Sequence, residues 1–199
     1  MKENEQSHIL ILPLSNIHKT NKFKSGDAEF QPLKTFIQRD AISDQHQKIS
    51  QIYVAIDDRE RVDKSIPINI FPFTIIGYIS VTCGQLTLTH VKKYDTEQFK
   101  RYQFLPAIKI ARLAIDARRR SDGIGSILLD HALSVVINDI CPKVGCRFVV
   151  TDAKKSAIDF YRKRGMVMLQ TATNQLSSRP VMLIDLYTFF DASAVETYA

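Results

Sequence analysis

Residues 108–125 read IKIARLAIDARRRSDGIG, and this stretch constrains the fold more than any other. Apolar residues fall on both alternating sets, Ile108 and Ile110 as well as Ala111, Leu113 and Ile115. A strand covered on both faces lies inside its sheet. The run ends in a turn with Gly123 and Gly125, and apolar residues at 124, 127, 128, 132, 135 and 136 then mark one face of a helix. Strand, glycine turn and helix N-terminus together form an anion site. Glycine lets the backbone turn tightly, and the amides from Ser121 to Ser126 then converge on one phosphate. The helix dipole adds about half a positive charge. Arg118, Arg119 and Arg120 are expected to add mobile positive charge beside it.

Two common phosphate motifs do not fit. A P-loop needs Lys after its last glycine, and Ser126 stands there; the dinucleotide fingerprint needs a third glycine where Leu128 stands. A plain glycine turn between strand and helix would read the same, so the ligand has to be argued from elsewhere in the chain.

The remaining elements follow from periodicity. Strands are expected over 8–14, 51–56, 73–83, 107–116, 147–151, 166–171 and 181–190, with one more inside 171–190. A helix is expected over 28–46, capped by Asp27, and another over 124–139. A short third helix over 155–164 is closed by Gly165. Residues 58–69 read as an exposed connection and 85–105 as a variable, partly helical one. Gly77 inside a strand marks a bulge or a close contact. The tail 191–199 is expected to fray. Strands and helices mix without a linker or an internal repeat, which predicts one α/β (α+β) domain over 1–199.

Composition narrows the partners. At 199 residues with 45% hydrophobic and 24% charged residues, the chain can bury a real core. No apolar run approaches the roughly 20 residues of a membrane helix, so no membrane partner is expected. The N-terminus makes a poor signal peptide. Three cysteines argue against a disulfide framework and for a cytoplasmic location. Cys141 and Cys146 lack the partners of a zinc site, and no metal is expected. Cys83 reads as core, and His131 as a satisfied core or boundary residue. A net charge of +6 favours polyanions: a phosphorylated coenzyme, nucleic acid or both.

A second segment lies one strand beyond the turn: Asp152, then Ala157, Phe160, Tyr161 and Gly165, with Met166 following. Together, R-x-x-G-x-G at Arg120 to Gly125 and A-x-x-F-Y-x-x-x-G at Ala157 to Gly165 resemble the GNAT N-acetyltransferase superfamily. The likeness covers about 70–170. It implies a mixed, mostly antiparallel central sheet with helices on both faces, and acetyl-CoA as co-substrate. Residue by residue, Leu113, Ala114 and Ile115 would offer backbone groups to the pantetheine. Arg118, Arg119, Arg120, Ser121, Asp122, Gly123, Ile124, Gly125 and Ser126 would hold the pyrophosphate. Ala157 and Phe160 would pack beside the pantetheine arm, with Asp152 where the family often has Asn. Tyr161 would be the general acid.

The N-terminal part, Phe23 and Gly26 through Phe36 to Ala41, is similar to one branch of that superfamily, from whose pattern Ser25 and Phe30 depart. The branch includes acetyltransferase toxins that act on the amino group of aminoacyl-tRNA. The resemblance therefore implies a primary amine as acceptor, with aminoacyl-tRNA as one form of it. It also brings in an antitoxin protein and a second copy of the chain as partners. Arg118–Arg120, Lys154–Lys155, Arg162–Arg164 and the Lys, Tyr and Phe residues of 92–104 would serve an RNA backbone and its bases. No general base stands out; Asp95, Glu97 and His90 are the candidates. Two other readings share these residues: a coenzyme A or nucleotide sensor without enzymatic activity, and a nucleic-acid-binding protein.

Overall fold

The computed structural model describes residues 8–87 and 101–188. Lys92, Lys93, Tyr94, Phe99 and Lys100, the base candidates His90, Asp95 and Glu97, and the tail 191–199 lie outside them.

Seven strands form one mixed sheet: β1 Ile9–Pro13, β2 Gln51–Asp57, β3 Gly77–Thr87, β4 Phe104–Ile115, β5 Phe148–Asp152, β6 Val167–Met168 and β7 Val181–Asp185. Their order across the sheet is β1-β2-β3-β4-β5-β7-β6, which puts β4 in the middle as its two-sided apolar pattern requires. β1 with β2, β2 with β3, β5 with β7 and β6 with β7 pair antiparallel, whereas β4 and β5 run parallel. The chain gathers into two compact units, Met1–Val81 with Arg112–Ala132, and Thr82–Ala111 with Leu133–Ala199.

In the first unit, helices α1 Gln31–Arg39 and α2 Ala41–His46 cover one sheet face, and α3 Ile124–Val135 covers the other. Neighbours on β3 show this directly. Tyr78 belongs to a core cluster with Phe23, Phe36, Ile37, Ala41, Ile52 and Val54, and its hydroxyl donates to the Leu33 carbonyl. Gly77 faces the other way, where a Cβ would stand 3.0 Å from both Ile115 Cδ1 and Ile124 Cγ2. Gly77 is thus a close contact, and its missing side chain lets α3 lie against the sheet. In the second unit, Leu86, Leu105, Ala107, Phe148, Val150 and Leu183 form a separate apolar cluster. The short helices α4 Ile158–Lys163 and α5 Ala172–Leu176 belong to this unit.

Several boundaries differ from the sequence expectation. The helix over 28–46 is three pieces: a 3₁₀ turn at Ala28–Phe30, then α1, then α2 beyond a break at Asp40, whose φ is −107°. Pro32 sets the start of α1, because a ring without an N–H is tolerated in a first turn. Asp27 precedes the 3₁₀ turn, but its side chain does not cap it; its carboxylate pairs with Arg120. β3 starts at Gly77 rather than 73, because Glu60 binds both the amide and the hydroxyl of Thr74. β3 also runs on to Thr87 and β4 begins at Phe104, so both ends of 85–105 are strand. Arg61 is buried and donates to Asp58, Lys64 and Ile66, which pins the 58–66 connection.

β6 spans only Val167–Met168, and the extra strand considered inside 171–190 is helix α5 instead. Thr171 caps that helix by accepting from the Asn174 amide. The buried Asn174 side chain then bonds Leu169 and Val181. Cys83 is exposed rather than core, since its side of β3 is open in this half of the strand. His131 sits at a boundary, edge-on to Tyr53 at 4.7 Å, and its Nε2 finds no hydrogen-bond partner among the described residues. Burial lowers its pKa and keeps the ring neutral.

Candidate active site

In the first unit, the glycine turn has the backbone an anion site requires. Ser121 and Gly123 both adopt left-handed backbone, with φ of 74° and 77°. At Gly123 the missing Cβ makes this free of strain; at Ser121 the conformation costs energy and is held by its surroundings. The turn closes when the Ser126 and Ile127 amides bond the Gly123 carbonyl. The amides of Ile124 and Gly125 stand ahead of that first bond, in the positions where a helix has donors and no acceptors of its own. They share the end with the positive pole of α3.

The three arginines differ from the sequence expectation. Each is held by carboxylates rather than mobile. Arg118 reaches Asp116 and the Lys22 carbonyl, Arg119 reaches Asp122 and Asp57, and Arg120 reaches Asp27 and the Ser25 carbonyl. Their charge is largely balanced locally, so attraction for a phosphate at this turn comes first from the amides and the helix pole.

Asp116 is the buried centre of this arrangement. Its carboxylate is 1% exposed and accepts from the Lys24 amide and from the amide, Nε and Nη2 of Arg118. Burial works to raise its pKa, and the Arg118 and backbone hydrogen bonds outweigh it, so the net shift is downward. A carboxylate with several donors stays ionised.

The segment Phe23 to Phe30 packs against the same turn. Ala117 donates to the Lys24 carbonyl, and Arg120 lies over the Phe30 ring at 5.2 Å. A Cβ on Gly26 would stand 2.8 Å from Arg120 Nη2, and its φ of +77° suits glycine alone. Sequence reading singled out Phe23, Ser25, Gly26 and Phe30 but did not connect them to Arg120, 90 or more positions away. The one available signal was charge: Asp27 is an acid beside a glycine in a lysine-rich loop.

Leu113, Ala114 and Ile115 form the half-buried end of β4 in this unit. The backbone leaves the sheet there, with the Asp116 amide donating to the Ile76 carbonyl.

The second unit holds Tyr161. It lies on α4, 6% exposed, with the Phe160 ring edge-on at 5.1 Å. The helix ends in a Schellman motif. Gly165, at φ +81°, donates to the Arg162 carbonyl, and Met166 donates back to the carbonyl of Tyr161 itself. The buried Met166 fixes that closure, and the backbone of Tyr161 with it. Burial raises the Tyr161 pKa, and the nearby Thr151 side chain works against the rise. The phenol is therefore protonated at neutral pH and can act as an acid.

Ala157 ends a 3₁₀ turn that leads into α4. Asp152 closes β5 and pairs with Lys109 of β4. Among the described residues, no group of three or more His, Cys, Asp or Glu side chains is placed to hold a metal ion. None of the described helices is long and apolar enough to cross a membrane.

Residues 74–166, which include both motifs, match the acetyltransferase (GNAT) family. Among solved structures, the chain is similar to AtaT complexed with acetyl-methionyl-tRNAfMet. That likeness has 18% identity and a TM-score of 0.71, and covers 91% of this chain and 96% of AtaT. It is also similar to a tyrosine-to-phenylalanine mutant of KacT, at 16% identity and a TM-score of 0.73, over 93% of this chain and 99% of that one. AtaTR bound with acetyl-CoA gives 18% identity and a TM-score of 0.69, over 91% and 95%. The match over residues 74–166 and these likenesses give the chain a region similar to the GNAT acetyltransferases and the fold that AtaT and KacT share.

Proposed function

We propose that this protein transfers the acetyl group of acetyl-CoA directly to the amino group of an aminoacyl-tRNA, with Tyr161 as the general acid. The observation that carries the reading is the turn from Arg120 to Ser126, with two left-handed residues ahead of the first amides of α3. That backbone suits a diphosphate. Arg118, Arg119, Arg120, Ser121, Asp122, Gly123, Ile124, Gly125 and Ser126 would line it, while Leu113, Ala114 and Ile115 would pair with the pantetheine amides. Ala157 and Phe160 would flank the thioester arm. Asp152, already committed to Lys109, would contribute through its backbone rather than its carboxylate.

The chemistry follows from the groups present. A neutral amine attacks the thioester carbonyl, and the carbonyl oxygen takes up negative charge that backbone amides near Leu113 and Ala114 would stabilise. Collapse of the adduct expels a thiolate, whose conjugate acid has a pKa of about 8.5. The buried phenol of Tyr161 supplies the proton, and water removes the one left on the new amide nitrogen. Forms of AtaT and KacT in which tyrosine is replaced by phenylalanine have been solved, which singles out a tyrosine in each neighbour.

Three further facts support tRNA as the acceptor. AtaT has been solved with acetyl-methionyl-tRNAfMet. The net charge of this chain is +6. In the second unit Lys155, Arg162, Lys163 and Arg164 are all exposed on or beside α4. The same reading brings in an antitoxin, as AtaT has been solved with AtaR.

The test supplies labelled acetyl-CoA with two acceptor pools, small amines and charged tRNA. Label is expected on the aminoacyl group of charged tRNA. Tyr161→Phe should lower kcat by about 10²-fold or more while calorimetry shows an unchanged Kd for acetyl-CoA. Transfer only to small amines overturns the acceptor, a fully active phenylalanine variant overturns the acid, and binding without any transfer overturns the reaction.

A further inference from the structure

A cleft of about 360 Å³ opens in the first unit, beside the 3₁₀ turn that precedes the glycine turn, and its size is that of a small-molecule site. Asp57, Arg59, Glu60, Asp116, Arg118 and Arg119 line it, and Ile76 adds an apolar patch. Each of these charges already meets an opposite one. Asp57 pairs with Arg59 and Arg119, Asp116 with Arg118, and Glu60 with Lys19 at 3.8 Å. The segment from Lys19 to Lys24 forms the rim. The Lys22 carbonyl accepts from Arg118 at 3.0 Å, and the Lys24 amide donates to Asp116 at 3.0 Å. Phe23 and Ser25 are buried between them, whereas Lys22 and Lys24 are exposed. Neither lysine ammonium has a carboxylate partner among the described residues.

We propose that this cleft receives the nucleotide end of coenzyme A, with Lys22 and Lys24 on its rim binding the ribose 3′-phosphate. The inference rests on the coenzyme reading above. Acetyl-CoA carries phosphate at two places, a diphosphate and a separate group on the ribose. The amides at the start of α3 suit the diphosphate, but the pull of a helix pole fades beyond its first turn. The ribose phosphate therefore needs a cation of its own, and the arginines of the cleft are engaged. Lys22 and Lys24 are not, and their backbones are fastened to the same stretch by bonds to Asp116, Ala117 and Arg118. Fastening them in advance lowers the entropy cost of ordering a loop on the ligand. Walls that mix donors and acceptors suit a ribose and a base, which offer both. The same walls disfavour an RNA strand, because Asp57, Glu60 and Asp116 repel a run of phosphates.

Calorimetry with acetyl-CoA and with acetyl-dephospho-CoA, which lacks only the 3′-phosphate, provides the test. Lys22→Gln and Lys24→Gln together should weaken acetyl-CoA binding about tenfold and leave the dephospho ligand within about twofold of wild type. Wild-type protein should itself bind the dephospho ligand about tenfold more weakly than acetyl-CoA. Thr74→Trp, which fills the cleft from its lining, should weaken both ligands, since both carry the adenosine. Unchanged acetyl-CoA affinity in the double lysine variant, or equal losses for the two ligands, overturns the inference while leaving the diphosphate turn in place. So does wild-type affinity for both ligands in a folded Thr74→Trp protein, or a lysine effect confined to tRNA binding. No binding of either ligand by the wild type instead removes the coenzyme reading beneath it. Thermal melts check folding, and the two lysines, being exposed, decide the matter if Thr74→Trp does not fold.

Discussion

Residues in this protein act through what the fold places around them. Asp116 holds the arginine-rich turn because it is buried among four donors, and Tyr161 stays protonated because burial raises its pKa. His18 shows the same logic with a pH consequence. It is 8% exposed, and its Nδ1 accepts from the Ser15 amide at 3.0 Å, which a protonated ring cannot do. Burial lowers its pKa below the ordinary value of 6.5. A depressed histidine pKa leaves stability intact above the unfolded value and removes it as pH falls below that value. Thermal melts should therefore drop as pH goes from about 7.5 to about 5.5. His18→Asn, which keeps an acceptor and cannot titrate, should flatten that drop; an unchanged slope would refute the assignment.

Elements are set by their ends. The start of α3 is a turn with two left-handed residues, and the end of α4 is a Schellman closure on Gly165. A Cβ at position 165 would meet nothing within 4 Å, so Gly165→Ala isolates the backbone cost of a φ of +81°. That cost is about 1–2 kcal/mol, which for a domain of this size lowers Tm by roughly 2–8 °C. Differential scanning calorimetry reads it, and an unchanged Tm would mean the closure does not hold α4. Ends closed by a left-handed glycine were also legible in the sequence. Gly165 and the glycine turn could be picked out because glycine suits their left-handed backbone, and Gly77 because a glycine inside a strand marks a close approach. The break at Asp40 and helix α5 could not, because nothing in the local sequence marks the break and α5 depends on the buried Asn174 satisfying strand backbone.

Across the whole molecule, charge rather than shape bears on the acceptor. The turn balances its own arginines, and the end of α4 adds an exposed basic run of Arg162 (paired with Asp159), Lys163 and Arg164. If tRNA is the acceptor, its binding should weaken steeply with salt, with a log–log slope of about −0.7 to −0.9 for each phosphate neutralised. The KM for acetyl-CoA should move much less. Arg162→Glu and Arg164→Glu should each lower the tRNA slope by about one. Equal salt slopes for both substrates would argue against an extended phosphate contact and for a small amine.

The sequence alone determined the central strand, the glycine turn and the helix after it, because these rest on interactions between residues close together in the chain. It also carried the likeness to the GNAT family, through two motifs one strand apart. Only the tertiary structure decided what holds that turn. The Phe23 to Phe30 segment reaches Arg120 across 90 or more positions, and Thr151 meets Ile110 across 41. Periodicity and spacing report which face a residue shares with its neighbours. Which distant partner closes its hydrogen bond is settled when the sheet forms and buries both.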